Sequence, residues 1–346
     1  MQISYADPHH PRFLITRLSA VGDCIHSMPI IGALRRQFPG AFIAWATQGL
    51  PATLLRDYPD LDRVITVDRN WLKSFHQIKN MRRTLHELQF DVSIDPQSLT
   101  KSAMLGWLSG ARCRIGFDRP QGRELSLLLN NVRFASTLPH VVDKYLELLR
   151  PLGIEQPSSP KFEMAEWQHE KVDQFLHDTH LSGEFAVINP GAGWDSKLWP
   201  AKRFGLVAKH LGRVHRLPSV IVWAGDREQI LAREIAEHSG GHGLIAPSTT
   251  LPELTTLMRY SKLCVAADTG PLHLAAAVDT RCVGLYGPTL PSECGPYGPQ
   301  HVSVQTCYQD GNGRQRRGAD NEAMCAIRVS QVTDACDRLL VKSQAA

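Results

Sequence analysis

Short apolar runs alternate with amphipathic segments through the second half of the chain, and this alternation is the strongest constraint on the fold. The runs at 185–188, 220–223 and 263–267 are continuously apolar, whereas a strand with one face in water would alternate apolar and polar residues. Each run is followed by a glycine or polar turn and then by a segment with helical spacing, such as 227–238. The pattern predicts a parallel sheet that helices cover on both faces.

The first half of the chain repeats this alternation. Strands are predicted at 12–18, 41–47, 62–68 and 90–97, and the segment 75–89 between the last two has helical spacing. At 346 residues the chain is also long enough for two domains rather than one. The predicted fold class is therefore α/β, with two doubly wound domains of similar size.

A stretch rich in Pro and Ser at 153–164 is the predicted linker between these domains. It places one Rossmann-like domain at 1–160 and a second at 161–325. In sheets of this kind, ligands bind outside the carboxyl ends of the strands, where the strand order reverses. Two such domains that face each other would form a cleft between them.

The end of the chain has a different composition. The segments 291–300 and 308–322 are rich in Gly, Pro and polar residues and are predicted to be loops. The segment 330–344 is amphipathic and is predicted to be a helix. We expect this helix, within 326–346, to pack back on the body of the protein.

The net charge and the cysteine content indicate which binding partners and which cellular compartment suit the protein. The net charge of +4 suits anionic ligands or an anionic membrane surface, but it is too small to indicate nucleic acid. No run approaches the ~20 apolar residues of a membrane-spanning helix, and the polar N-terminus does not resemble a signal peptide. The eight cysteines contain no C-x-x-C pair, which favours a reducing compartment. The predicted location is the cytoplasm.

Asp23 follows the first predicted strand, in the stretch RLSAVGDCIHSMP. A carboxylate at this position could accept a proton from an incoming hydroxyl group, and it could equally serve as the N-cap of the next helix. The two interpretations are compatible. No G-x-G-x-x-G motif follows this strand, and the chain has no Walker motif. A dinucleotide-dependent dehydrogenase and a P-loop kinase are therefore disfavoured.

The predicted strands of the second half lead into residues suited to a phosphorylated ligand. The glycines of NPGAGWDSKLWP would let the backbone approach a phosphate, which Lys197 could neutralise. Glu228 could accept a hydrogen bond from a ribose hydroxyl, or simply suit the first turn of its helix. The stretch ADTGPLHLAAAV, which begins at 266, would direct backbone N–H groups and a positive helix end at a diphosphate, or would only be a capped helix.

Cationic residues follow several predicted strands of the first half. They include Arg69, Lys101 and Arg123. A solvated basic surface would explain them, but their shared position after strands of one domain favours an anionic second substrate. His, Cys and acidic residues show no ligand spacing, so neither a metal site nor another cofactor is predicted. A metal-independent sugar transfer fits these features.

Taken together, these motifs resemble glycosyltransferase family 9, the lipopolysaccharide heptosyltransferases. ADTGPLHLAAAVDTRCVGLYGPT is similar to the signature of that family, and RLSAVGDCIHSMPII is similar to its opening; DPQSLTKSA, GFDRPQGRE and KLWP fall in the right order. The resemblance extends to about residue 290. It implies the GT-B architecture, in which two Rossmann-like domains face a central cleft. It also implies an inverting transfer of heptose, usually from ADP-heptose, to the inner core linked to lipid A.

The resemblance also implies a role for each matching residue. Asp23 would be the general base. The donor would be held by Lys197, Glu228, Asp268, Thr269, Gly270 and His273. Arg69, Lys101 and Arg123 would meet the anionic, lipid-linked saccharide acceptor. The 1–160 domain would thus bind the acceptor and the 161–325 domain the nucleotide sugar, with no nucleic acid involved.

Three other functions remain open at the level of sequence. The chain could be a family 9 transferase with another nucleotide sugar or another glycan acceptor. It could be a sugar-nucleotide epimerase on the same scaffold, although such an enzyme would not need the basic residues of the first domain. It could also be a binding protein without activity. Peripheral contact with the inner membrane is a further expectation, for which the amphipathic segment FHQIKNMRRTLHEL is a candidate, although such helices more often pack on their own sheet.

Overall fold

The computed structural model describes residues 3–157, 160–181 and 184–341, and it divides into two compact units, Met1–Ala165 and Glu166–Ala346. The division lies five residues beyond the expected domain boundary at 160. Each unit contains one parallel sheet of six strands with helices around it.

The sheet of the first unit has the strand order β3-β2-β1-β4-β5-β6, and every neighbouring pair is parallel. Its strands are β1 (Arg12–Thr16), β2 (Phe42–Thr47), β3 (Arg63–Thr66), β4 (Val92–Asp95), β5 (Cys113–Phe117) and β6 (Val132–Phe134). The strand order reverses between β1 and β4, so ligands are expected outside the carboxyl ends of these two strands. The sequence predicted the first four strands, whereas β5 and β6 were missed.

Short helices connect the strands of this unit. They are α1 (Val21–Ser27), α2 (Pro29–Gln37), α3 (Pro51–Leu55), α4 (Phe75–Glu87), α5 (Thr100–Leu108), α6 (Ser126–Leu129) and α7 (Val141–Glu147), with 3₁₀ turns at Trp71–Lys73 and Arg150–Leu152. The apolar residues of α4 (Ile78, Met81 and Leu85) pack into the core on one face of the sheet. These three side chains of the candidate membrane helix are therefore covered by its own domain, whereas Phe75 at its start is 83% exposed.

The second unit repeats the same topology, with the strand order β12-β11-β10-β7-β8-β9. Its strands are β7 (Ala186–Asn189), β8 (Ser219–Ile221), β9 (Gly243–Ile245), β10 (Leu263–Ala267), β11 (Arg281–Tyr286) and β12 (Val302–Gln305). All neighbouring pairs are parallel. Here the order reverses between β7 and β10, which marks the expected ligand-binding edge of this sheet.

The helices of the second unit are α8 (Glu170–Asp178), α9 (Ala201–His215), α10 (Gly225–His238), α11 (Leu251–Tyr260), α12 (Gly270–Ala277), α13 (Pro291–Cys294), α14 (Gly313–Gly318), α15 (Glu322–Cys325) and α16 (Val329–Val341), with a 3₁₀ turn at Asp195–Lys197. They include two long ones, α9 and α10, which pack on each other beside β7 and β8. No helix among the residues described above is both long and apolar enough to cross a membrane.

The C-terminal region differs in part from the sequence-based expectation. The segments 291–300 and 308–322 were predicted to be loops, but the first contains α13 and the second contains α14 and the start of α15; β12 adds a strand to the edge of the sheet. The final helix α16 packs into the core of the second unit through Val332, Ala335 and Cys336. The predicted extension of this helix to residue 344 lies outside the described residues.

The predicted linker is partly attached to the first unit. The Tyr58 hydroxyl donates a hydrogen bond to the carbonyl of Phe162, and Phe162, Met164 and Ala165 are buried. This attachment explains why the first unit extends past residue 160. Residues 158 and 159, at the centre of the predicted linker, are outside the described ranges.

Asp95 is a buried carboxyl group at the carboxyl end of β4. Burial raises its pKa to about 6, although its oxygens accept hydrogen bonds from the Ser98 N–H at 2.8 Å and the Asn130 side-chain amide at 3.1 Å. The Asn130 Oδ1 atom has no hydrogen-bond partner among the described residues. A protonated Asp95 could donate to this oxygen after a rotation of the amide. Burial therefore makes the protonated form of Asp95 more favourable in the folded protein than in the unfolded chain.

We expect Asp95 to make stability depend on pH. Because its folded-state pKa of about 6 exceeds the ordinary value of 3.8, its stabilising contribution is complete below pH 3.8 and is lost as the pH rises through 6. At about 1.4 kcal/mol per pKa unit, the loss is about 3 kcal/mol. Between pH 4 and pH 7.5, denaturant unfolding should therefore show that Asp95→Asn gains about 2 kcal/mol of stability relative to the wild type, most of this amount. Parallel pH profiles for the two proteins would contradict the assignment.

Candidate functional site

Asp23 lies at the carboxyl edge of the first sheet, beside the reversal between β1 and β4. It is the third residue of α1, whose N-cap is Ala20, so the N-cap role considered for Asp23 is wrong. The carboxylate instead reaches back and accepts a hydrogen bond from the Ala20 N–H through Oδ2, at 3.2 Å. This contact fixes the side chain at the start of the helix.

Arg17 holds the same carboxylate from the other side. Its Nη2 atom lies 2.8 Å from Asp23 Oδ2, and its Nη1 atom donates to the carbonyl of Pro96, after β4, at 3.1 Å. The guanidinium group also lies over the ring of Tyr145, 5.3 Å from its centre. Because Arg17 is only 7% exposed, it is a rigid support for Asp23.

The contacts from Ala20 and Arg17 leave one oxygen of Asp23 available to accept a proton. Both involve Oδ2, whereas Oδ1 makes no hydrogen bond or ion pair that is recorded within the described part of the chain. The side chain is 46% exposed, compared with 8% for its partner Arg17. A carboxylate with one anchored and one accessible oxygen can accept a proton from a hydroxyl group that approaches from solvent.

The three cationic residues predicted to meet an acceptor are exposed at the same edge of the first sheet. Lys101, in the first turn of α5, donates from Nζ to the carbonyl of Arg69 at 3.5 Å, which joins the loops after β3 and β4. The N–H of Arg123 donates to the carbonyl of Ser98, which joins the loop after β5 to the same region. The fold thus brings together three loops that are far apart in the sequence.

Asp268 is the centre of a hydrogen-bonded cluster at the carboxyl end of β10. Its Oδ2 lies 2.5 Å from Lys197 Nζ and accepts from the Thr289 hydroxyl at 2.7 Å. Its Oδ1 lies 3.0 Å from His273 Nε2, and Lys197 also donates to the Asp268 carbonyl. Lys197 and His273, predicted from separate motifs, are therefore positioned by one carboxylate.

The environment of Asp268 keeps it ionised. Burial alone would raise the pKa of this carboxyl, but the hydrogen bond from His273 and the charge of Lys197 outweigh burial and hold the pKa well below its ordinary value. The pair is nearly enclosed, with 12% of the Lys197 side chain and 6% of the Asp268 side chain exposed. Lys197 is therefore a fixed positive charge at this edge.

Thr269 and Gly270 begin the helix that follows this cluster. Thr269 is the N-cap of α12, Gly270 is its first residue, and Pro271 comes next. The N–H groups of the first helical turn have no partner within the helix and carry a partial positive charge. An anion at this point would be bound by the helix end and by Lys197 together.

Asn189, at the end of β7, connects the loop after β7 to the start of α12. Its side-chain amide donates to the Thr269 hydroxyl at 3.3 Å and to the Gly191 carbonyl at 3.1 Å. Gly191 in turn lies against Glu228, because a Cβ atom at position 191 would lie only 2.1 Å from Glu228 Oε1. The absence of a side chain at Gly191 therefore allows Glu228 to approach the loop after β7.

Glu228 lies in the first turns of α10, as the structural interpretation of the sequence predicted. Its Oε2 accepts a hydrogen bond from the N-cap Ala224 N–H at 2.8 Å. Burial raises the pKa of the carboxyl, and this hydrogen bond partly opposes the increase. One oxygen is anchored to the backbone, and the partly buried carboxylate remains able to accept a hydrogen bond from a ligand hydroxyl.

Several residues around Lys197 were not predicted from the sequence. The ring of Trp194 lies 4.4 Å from Lys197 Nζ and 5.0 Å from the guanidinium carbon of Arg317. Arg316 Nη1 donates to the carbonyl of Pro288, next to Thr289. The basic helix α14 is thus attached to the loops that surround Asp268. The excess of arginine in 314–317 was the one available signal, but nothing in the sequence showed where this segment packs.

Comparison with known proteins identifies relatives along most of the chain. A model of the family described as glycosyltransferase family 9 (heptosyltransferase) matches residues 78–322. A Salmonella typhimurium protein, lipopolysaccharide heptosyltransferase 1, is 30% identical over 307 residues, which are 84% of this chain and 93% of that protein. The Pseudomonas aeruginosa protein of the same name is 28% identical, over 85% of this chain and 83% of that protein.

Solved structures share the architecture. The structure of Escherichia coli heptosyltransferase WaaC with ADP has a TM-score of 0.77 and 24% identity, covering 95% of this chain and 99% of that chain. A family 9 glycosyltransferase from Veillonella parvula has a TM-score of 0.78 and 22% identity, covering 99% of each chain. A Listeria monocytogenes structure provisionally assigned as a UDP-N-acetylglucosamine 2-epimerase has a TM-score of 0.57 and 11% identity, covering 97% of this chain and 89% of that chain. Fold alone therefore does not separate these two enzyme classes.

Proposed function

Because the chain belongs to glycosyltransferase family 9, we propose that it transfers heptose from ADP-heptose to the inner core of lipopolysaccharide, on an acceptor linked to lipid A. The chain is a glycosyltransferase with the GT-B fold. Relatives named lipopolysaccharide heptosyltransferase 1 support the sugar and the acceptor. A structure of WaaC with ADP-2-deoxy-2-fluoro heptose supports the donor.

The proposed reaction is an inverting displacement. An acceptor hydroxyl oxygen bonds to the anomeric carbon of the heptose while the bond from that carbon to the diphosphate oxygen breaks, and the hydroxyl proton moves to Asp23 Oδ1. The anchorage of Oδ2 by Arg17 and Ala20 supports this role, because the accepting oxygen is then fixed in orientation. The products are the glycosylated acceptor and ADP.

The second unit would stabilise the departing ADP. Charge accumulates on the diphosphate as its bond to the sugar breaks, and fixed positive groups lower the energy of that state. Lys197 and the N-terminus of α12, which begins at Gly270, are the groups proposed for this task. Glu228 would accept a hydrogen bond from the ribose. The single observation that carries the proposal is that Asp268, just before α12, forms an ion pair with Lys197 and a hydrogen bond with His273.

The basic edge of the first unit would bind the acceptor. Arg69, Lys101 and Arg123 are exposed at the edge that holds Asp23, and an anionic saccharide would form charge-assisted hydrogen bonds with them. We propose that the enzyme acts in the cytoplasm, on an acceptor at the inner face of the inner membrane. Peripheral contact with that membrane stays part of the proposal; on α4, Ile78, Met81 and Leu85 pack into the core, whereas Phe75 is 83% exposed.

A ligand panel and a transfer assay test this function. Thermal unfolding is measured with ADP-heptose, ADP, UDP, GDP and NAD, since a ligand at about 100 times its Kd adds roughly 2.7 kcal/mol of stability. We expect stabilisation by ADP and ADP-heptose alone. ADP release is then measured with and without lipid A-linked core acceptor. Release that needs the acceptor supports a transferase, whereas stabilisation by UDP or GDP would reject the heptose donor.

Arg317 is predicted to contribute to ADP binding. In Arg317→Gln, the cation that lies with Lys197 around Trp194 is lost, and a hydrogen bond from a charged group contributes about 1.5–3 kcal/mol. We expect ADP affinity to fall about tenfold or more while adenosine affinity stays constant, because the phosphates carry the charge. Calorimetry measures both. Arg314→Gln, in the same helix, is the matched control, and equal ADP affinity in all three proteins would exclude Arg317 from the site.

A further inference from the structure

A second cluster of potential ligands lies where α9 meets α16. His210 Nε2 lies 2.8 Å from Asp337 Oδ1, and His215 Nε2 lies 2.6 Å from the same oxygen. The side chains are 26%, 17% and 37% exposed in the order His210, His215 and Asp337. Two imidazoles from the end of α9 thus converge on one carboxylate oxygen of α16.

This cluster is separate from the site around Asp268. Helix α9 begins at Ala201, just after the turn that carries Lys197, and ends at His215, just before β8. In a parallel sheet such a helix returns from the carboxyl edge to the amino edge of the strands. Its 15 residues span about 22 Å at about 1.5 Å per residue. His210 and His215 therefore lie at the end of the helix remote from the proposed donor site.

The three atoms form a ligand set of recognisable chemistry. The two Nε2 atoms and one carboxylate oxygen all lie within 4.8 Å of one another. Ligand atoms around a tetrahedral zinc ion, at about 2.0–2.2 Å from the metal, are separated by roughly 3.3 Å. Small rotations of these partly exposed side chains would move the two short contacts to that spacing. Imidazole nitrogen favours zinc and related transition metals, whereas magnesium and calcium favour oxygen.

We propose that His210, His215 and Asp337 form a binding site for a divalent transition-metal ion of the zinc type, with water completing the coordination. This inference does not depend on the proposed transferase activity. On binding, both Nε2 atoms would coordinate through their lone pairs, so their protons would move to Nδ1 or to solvent. The ion would replace the two hydrogen bonds by bonds to metal.

The consequence of such a site is a cross-link between two helices. The helix α16 is the last element of the described chain, and it packs on the core beside α9. Its attachment also includes a hydrogen bond from Arg281 Nη1 to the carbonyl of Leu339, at 3.0 Å. A metal ion would add a connection at Asp337, two residues before that contact, and would oppose separation of α16 from the second unit.

Zinc binding to the full-length chain tests the proposal. All proteins carry Cys307→Ser, because Cys307 is an exposed thiol that could bind zinc. After EDTA treatment and its removal, zinc is titrated in competition with a chromophoric chelator, and unfolding is monitored with and without zinc. We expect one zinc per chain and a Tm increase of about 5 °C when zinc is near 100 times its Kd. Magnesium at the same concentration should have no effect.

Single-ligand variants identify the atoms. His210→Gln and His215→Gln should each weaken zinc binding at least tenfold and abolish the Tm increase. His177→Gln, which removes an imidazole that is 83% exposed on α8, should retain both. Zinc affinity equal to that of the parent in both variants would overturn the proposal, as would no binding at 100-fold excess zinc. Far-UV circular dichroism shows whether each variant is folded. If His210→Gln does not fold, the zinc affinity of His215→Gln alone tests the proposal.

Discussion

The Asp23→Asn variant is expected to lose sugar transfer almost completely while it keeps its affinity for ADP. The amide has the shape of the carboxylate but cannot take the acceptor proton, and loss of a general base typically lowers the rate about 10²–10⁴-fold. A base acts in the transition state and contributes little to binding of the ground state. The kcat is measured from acceptor-dependent ADP release, and the Kd for ADP is measured by calorimetry.

Asp57→Asn is the matched control for this experiment. Asp57 is an exposed acid on the same unit, so the control makes the same change in charge away from Asp23. We expect it to retain the wild-type kcat. A wild-type kcat in Asp23→Asn would show that another group takes the proton. Loss of ADP affinity in the same variant would instead assign Asp23 a structural role.

The Asp268→Ala variant is expected to have the largest effect on the second unit. It leaves Lys197 and His273 without the carboxylate that positions them. Removal of one partner from a buried ion pair costs about 3–5 kcal/mol, and we expect the free energy of unfolding to fall by about this amount. ADP affinity should fall at least tenfold, because Lys197 is no longer fixed. Denaturant unfolding and calorimetry measure the two effects.

Thr289→Val is the matched control, because it changes a neighbour of the Asp268 carboxylate and leaves the carboxylate itself in place. It removes the hydrogen bond from Thr289 to Asp268 but keeps the contacts of Lys197 and His273. The expected loss of stability is about 1.5–3 kcal/mol, the usual contribution of a hydrogen bond to a charged group, and ADP affinity should stay within about threefold of the wild type. If Asp268→Ala binds ADP as the wild type does, Asp268 is not part of the donor site.

The strands that precede Asp23, Lys197 and Asp268 were predicted from the sequence, whereas β5, which precedes Arg123, was missed. The runs that became β1, β7, β8 and β10 are apolar because helices cover both sheet faces, and this burial produces a readable pattern. Parallel strands end at one edge, so residues after them could be predicted to lie together before any contact was known. Lys197 and Asp268 follow from this rule at the edge of the second sheet, and Asp23 follows from it separately at the edge of the first sheet.

Contacts between distant segments could not be predicted in this way. Arg317 reaches Trp194 across more than 120 residues, and Asp337 reaches His215 across 122. Neither pair has a spacing that a helix or strand would reveal. The helix α14 was predicted as loop because its sequence is rich in Gly and polar residues, and its Asn312 cap and packing on the 3₁₀ turn decide its structure. The cap is a local signal that the sequence contained, whereas the packing against the turn is tertiary and could not be predicted.

The repeated strand order has a consequence for how this enzyme can evolve. Each sheet holds its own core, and each carries its reactive side chains on loops that follow the strands rather than within them. Under the proposed function, insertions or substitutions in the loops after β3 and β5 would alter acceptor selectivity, and the loops proposed to bind the nucleotide would stay unchanged. The proposal therefore predicts that donor and acceptor selectivity can change separately, so that one donor chemistry could serve several acceptors.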